Sequence, residues 1–242
     1  MQEVREKTIA WFSAGVSSAV AVKLAINQID QIIYTHIDDQ HPDTLRFVRD
    51  CEQWFGKPVD IITSPYKSVE NACRSMRFIN SPGGATCTKL LKRRMRKVWE
   101  AQNTFFSWFA YVWGMDIDEA KRAEQLKDDM PHTRHVFPLI EREITKEKAH
   151  QILNASGIKR PAMYDLGYSN NNCIGCVKGG MGYWNHIRRD FPEVFKARAK
   201  MEREIGASCI NGTFLDELDP DAGRHTPPIV EDCGIMCEVL TL

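Results

Sequence analysis

Ser13-Ala14-Gly15-Val16-Ser17-Ser18 lies between two apolar runs, Thr8-Ile9-Ala10-Trp11-Phe12 and Ala19-Val20-Ala21-Val22-Lys23-Leu24-Ala25. Small side chains let backbone N–H groups and hydroxyls close around an anion. A helix that begins behind such a loop adds partial positive charge. The chemistry this pattern suits is phosphate binding, and an ordinary strand-to-helix turn is the competing reading.

Phosphate chemistry also needs cations, because the leaving oxygens develop negative charge. Lys89, Lys92, Arg93 and Arg122 are the candidates, although a run such as Lys92-Arg93-Arg94-Met95-Arg96-Lys97 is usually a solvated helix face. Any basic residues left over could meet a nucleic-acid backbone. Asp38 and Asp39 could hold Mg²⁺ through water; helix capping and turn formation account for them equally well.

Eight cysteines form the other reactive set. Cys173-Ile174-Gly175-Cys176 places two sulfurs on one centre within a loop rich in Asn and Gly, and Cys233-Gly234-Ile235-Met236-Cys237 is a second close pair. Together they could give a four-cysteine site for Zn²⁺ or an iron–sulfur cluster. A redox or persulfide-carrying pair, or inert thiols, are the alternatives. Cys209 could substitute as a ligand. Cys51 shares a helical apolar face with Val48 and Phe55 and is expected in the core, and a buried thiol is favoured for Cys73. Cys87 could be a cluster ligand, a sulfur carrier or a packed thiol. Tyr183 and Trp184, near Lys178 and Arg188, could stack on a base, with core packing the default. The histidines show no metalloprotease-like spacing.

These groups need a scaffold. The chain of 242 residues is 43% hydrophobic with a formal net charge of zero, which suits one large domain, or one domain with a C-terminal appendage, and excludes a globally basic nucleic-acid binder. It has no apolar run of about 18 residues and no secretory leader, so no membrane span is expected and a cytoplasmic location is. Structural disulfides are then not expected. Strands are expected at 29–37, 59–63 and 105–113, following the first at 8–12, with helices at 44–55 and 117–126. Strands alternating with helices predict an α/β fold, a parallel sheet with helices on both faces. Ligands bind at the carboxyl ends of such strands. Ser13 to Ser18, Asp38 to Asp43 and Gly114 to Arg122 all fall there. Composition shifts near Ser156, which predicts a nucleotide domain over 1–156 and a smaller Cys-containing module over 157–242.

The loop resembles the PP-loop of the adenine nucleotide alpha-hydrolase superfamily, usually Ser-Gly-Gly-x-Asp-Ser, with Ala14 for the first Gly and Ser17 for the Asp. Ile37-Asp38-Asp39-Gln40-His41-Pro42-Asp43-Thr44 is similar to the Asp-Thr-Gly…Pro-Glu-Thr segment of phosphoadenosine phosphosulfate (PAPS) reductase-like proteins. Cys87 with Lys92 resembles their Cys-x-x-x-x-Lys element, and Gly114 with Glu119 and Arg122 their Gly-x-x-x-x-Glu-x-x-Arg. The order of these segments carries the resemblance over roughly residues 8 to 180. It implies a HUP-like fold that binds ATP with Mg²⁺. Phosphates would lie on Ser13, Ala14, Gly15, Val16, Ser17 and Ser18, with adenine near Ile37, Asp38, Asp39 and Gly114. Cys87, Lys89, Lys92 and Arg122 would serve catalysis. The implied reaction is ATP pyrophosphatase chemistry that adenylates an acceptor for sulfur transfer. The acceptor would be nucleic acid, with DNA phosphorothioation preferred over tRNA thiolation, and the sulfur donor a cysteine desulfurase. A homo-oligomer is allowed for. The segment Glu231-Asp232-Cys233-Gly234-Ile235-Met236 is similar to the reductase tail Glu-Cys-Gly-Ile/Leu-His, so a PAPS or adenylyl-sulfate reductase using Cys233 is the alternative. A non-catalytic nucleotide-binding module is a third reading.

Overall fold

The computed structural model describes residues 6–81, 83–103 and 108–224. In chain order the elements are β1 (Glu6–Phe12), α1 (Val16–Leu24), β2 (Gln31–His36), α2 (Asp43–Phe55), β3 (Val59–Thr63) and α3 (Val69–Met76). A short hairpin of β4 (Asn80–Ser81) and β5 (Gly84–Ala85) leads to a π-helical segment, Thr88–Arg93, that runs directly into α4 (Arg94–Gln102). Next come β6 (Trp108–Val112), α5 (Ala120–Asp129), β7 (Arg134–Val136), α6 (Lys146–Ala155), α7 (Ala162–Asp165), α8 (Met181–Asp190) and α9 (Pro192–Ile205).

Five strands form one parallel sheet in the order β3-β2-β1-β6-β7. The expected α/β class and parallel sheet are therefore present. Alternation along β1 explains why both faces are covered. Ala10 and Phe12 point to a core built with α1, α2 and α6; Ile9 and Trp11 point to a second core with Trp99, Tyr111, Ala123 and Leu126. Cys51 packs in the first of these, beside Val48 and Phe55.

The expected third strand coincides with β3, and α2 begins one residue before its expected start. α2 ends where Gly56 takes a left-handed φ of 68°, returning its N–H to Glu52 O at 3.1 Å. The helix expected from Ile117 opens instead as a 3-10 turn over Ile117–Glu119, because the Asp116 side chain accepts the Asp118 N–H at 3.1 Å and tightens the start. The expected strand at 105–113 is described only from Trp108. β7 is just three residues long and carries no periodic signal.

A third core joins residues from Ile37 to Leu91 with residues from Met163 to Leu218. Trp184 is 0% exposed and Tyr183 is buried with it. The default of core packing holds for this pair over the base-stacking alternative: α8 turns both rings inward against Tyr168 and Phe195.

Candidate functional site

The chain leaves β1 for β2 on one side and later crosses to β6 on the other, so a crevice opens at the carboxyl end of β1. The Ser13–Ser18 loop sits there. Ser18 Oγ accepts the Ser13 N–H at 3.1 Å, and Ser13 Oγ accepts the Gly15 N–H at 3.4 Å. Ser17 and Ser18 lie in the first turn of α1, where N–H groups have no intrahelical acceptor. Gly114, just after β6, presses on this turn: a Cβ there would stand 2.5 Å from Ser18 Cα, so no larger residue fits.

Ala14 adopts a left-handed φ of 60°, a conformation that costs an L-residue about 1 kcal/mol relative to glycine. Two residues far along the chain hold it. Asn171 Nδ2 donates to Ala14 O at 2.8 Å and to Thr44 Oγ1 at 3.2 Å. Tyr164 Oη accepts the Val16 N–H at 3.2 Å. Sequence reasoning missed both as parts of the phosphate loop; the only hint was the Asn170-Asn171-Asn172 run, three amides that are all buried. Asn171→Ala is expected to leave Ala14 O unpaired and cost about 1–3 kcal/mol of stability, with ATP binding weakened more than tenfold by a loosened loop. Isothermal titration alongside urea unfolding checks both.

Lys92 faces the loop across a narrow cleft lined also by Trp11, Phe12, Ser13, Thr35 and Gln40. The enclosed space is about 20 Å³, room for little more than a water, so a nucleotide would lie over the strand ends rather than sink between them. Trp11 Nε1 is buried with no hydrogen-bond partner among the described residues. Behind the cleft, Tyr34 Oη donates to Gln40 Oε1 at 2.5 Å, and Gln40 Oε1 also accepts the Ile37 N–H at 3.1 Å. Burial pushes the Tyr34 hydroxyl far above its usual range; the Cys173 sulfur adds to this and Lys92 opposes it, so all three lie within electrostatic reach.

The two acids after β2 have different surroundings. Asp38 has a side chain 54% exposed, with His36 at 3.8 Å. Asp39 is engaged: one oxygen accepts the Val69 N–H at 2.7 Å and the other pairs with Arg198. Arg198 is fully buried and also reaches Glu70 at 2.8 Å and Gly175 O at 3.2 Å. Burial works against its charge, yet Asp39 and Glu70 more than compensate and its pKa rises. The Cys173–Cys176 turn is thus bolted to the end of β2, and Ile174 N–H donates to Asp39 O at 2.8 Å. Tyr183 Oη completes the turn, accepting the Cys176 N–H at 2.8 Å and donating to Cys173 O at 3.2 Å.

Both thiols of the pair are buried, and all six described cysteines are free of disulfides. Among the described residues no group of three Cys, His, Asp or Glu side chains could hold a metal. Cys233 and Cys237 lie outside the described residues. The two thiols alone do not make a tetrahedral thiolate site. Burial raises the Cys73 thiol to about 12 and pushes Cys51 and Cys209 further up, which suits packed, unreactive groups.

The other expected catalytic residues separate in space. Cys87 caps the π segment and is buried in the third core. Lys89 is exposed and lines a different cavity from Lys92. Arg122 forms an ion pair with Glu119 at the start of α5. A π turn is a frequent accompaniment of functional sites, and here it sends two lysines three residues apart to two different cavities.

A family described as phosphoadenosine phosphosulfate reductase domain matches residues 7–179, from β1 through the Cys173–Cys176 turn. No curated protein matches the chain.

Proposed function

The chain belongs to the phosphoadenosine phosphosulfate reductase domain family, a family of nucleotide-utilising enzymes, and from that premise we propose that it adenylates an acceptor with ATP to prepare it for sulfur transfer. The observation that carries this reading is the Ser13–Ser18 loop, clamped by Asn171 and Tyr164 opposite Lys92, with a buried thiol pair anchored to the same strand ends. The ATP phosphates would rest on the loop and on the first turn of α1. An acceptor oxygen attacks the alpha phosphorus and pyrophosphate leaves, its growing charge met by Lys92. The outer sulfur of a Cys173 persulfide, loaded from a persulfide donor, then displaces AMP from the activated centre; the Cys176 thiolate breaks the remaining S–S bond, which frees the thiolated acceptor and leaves a Cys173–Cys176 disulfide for an external thiol reductant to reduce. Asp38 would hold Mg²⁺ through water, with the metal bound mainly by ATP phosphates. The preferred acceptor is DNA, as in phosphorothioation, and the preferred donor a cysteine desulfurase; both rest on family analogy.

The test is product identification. Incubation with ATP, acceptor and a persulfide source should release pyrophosphate, whereas sulfite released from PAPS without ATP would move the assignment to a reductase acting through Cys233. Nucleotide binding with neither product would leave a binding module. Cys173→Ser and Cys176→Ser should each keep pyrophosphate release within about threefold while cutting sulfur incorporation by about a hundredfold or more. Full sulfur incorporation in both variants would remove the pair from the mechanism.

A further inference from the structure

A second cavity of about 340 Å³ opens beside the π segment and shares no lining residue with the cleft that Lys92 faces. Phe78 and Met76 line it and are 45% and 47% exposed, unusual for side chains of this size. Lys89 and Arg93 bring positive charge, and none of the described residues that line it is acidic. Thr88, also in the lining, is 4% exposed, and its Oγ1 has no hydrogen-bond partner among the described residues. A buried hydroxyl without a partner is costly, so a ligand atom at this position would relieve it. One wall is the β4–β5 hairpin. Asn80 ties that wall to the thiol-bearing region, donating to Val177 O at 2.6 Å and to Cys209 O at 3.1 Å. The positive surface continues outward: Lys97 follows Arg93 by four residues and shares its helix face, and exposed Arg77 adjoins Phe78.

We propose that this cavity receives one nucleotide of a single-stranded nucleic acid, the acceptor class named above, and the inference rests on that reading for the acceptor's role. The base stacks on Phe78, Lys89 neutralises an adjoining phosphate, and Thr88 Oγ1 bonds a sugar or phosphate oxygen. An exposed aromatic ring flanked by cations is the usual platform for a single strand. A base paired within a duplex cannot offer its face to Phe78. Arg77 and Lys97 give a strand, but not a free mononucleotide, further phosphates to contact.

The experiment is fluorescence anisotropy with a short labelled oligothymidylate, titrated with the full chain at several salt concentrations. Phe78→Ala should weaken binding about tenfold or more. Lys89→Gln should weaken it several-fold and flatten the log–log salt slope by about one. Both positions are exposed, and circular dichroism confirms that the variants fold. A wild-type chain that does not bind the strand, equal competition by free thymidine monophosphate, or wild-type binding in both variants would overturn the proposal. Pyrophosphate release is measured in parallel. Strand binding lost in Phe78→Ala with no pyrophosphate from the wild type would keep this site and remove the adenylation reading. Pyrophosphate release without strand binding would do the reverse.

Discussion

Arg198→Ala should lower the unfolding free energy by about 3–5 kcal/mol, the usual consequence of removing one partner from a buried ionic network. The guanidinium is fully buried and holds Asp39, Glu70 and Gly175 O together. Without it, Asp39 loses its cation, Glu70 keeps only its pair with Arg74 at 2.7 Å, and a cavity opens where the long side chain lay. Arg198→Lys should fall between: it keeps the charge but cannot span three acceptors in a fork. Urea denaturation reads the loss as a lower midpoint with the slope unchanged. A change below about 1 kcal/mol in Arg198→Ala would mean that water and local relaxation replace the guanidinium. The functional consequence follows the same links. Because Arg198 anchors the Cys173–Cys176 turn to the end of β2, sulfur incorporation should suffer in Arg198→Lys more than ATP binding does.

Lys92→Ala should lower pyrophosphate release by about a hundred- to a thousandfold, the typical effect of removing one preorganised group that meets charge developing in a transition state. Lys92 is half-buried on the π segment and faces the Ser13 end of the phosphate loop. Lys92→Arg should recover part of the rate. Lys89→Ala supplies the contrast, because Lys89 lines the other cavity: its effect should fall on strand binding rather than on the chemical step. Equal loss of turnover in the Lys89 and Lys92 variants, measured at saturating ATP, would contradict their separation between two cavities.

Much of the scaffold is legible in the sequence because its signals are local. An apolar run, a small-residue loop and a second apolar run state β1, the phosphate loop and α1 without reference to the rest of the chain. The same holds for β3, for α2 with Gly56 at its end, and for the inference that ligands gather where parallel strands finish. The Cys-x-x-Cys spacing shows a two-thiol turn just as directly. The residues that turn these parts into one site are not legible. Asn171 acts on Ala14 across 157 positions, and Arg198 acts on Asp39 across 159. An asparagine in a polar loop and an arginine in a charged helix look, in one dimension, like any solvated pair. Only packing decides that both are buried and must find partners. Tyr183 and Trp184 admit two readings from their basic neighbours, a stacking surface or the default of core packing, and the packing of α8 against α9 decides for the core. Lys89 and Lys92 show the limit most sharply. Their types and spacing identify two cations near a predicted phosphate site, but the π turn decides which one reaches it, since the direction of a side chain is a property of the assembled backbone and not of the residue itself.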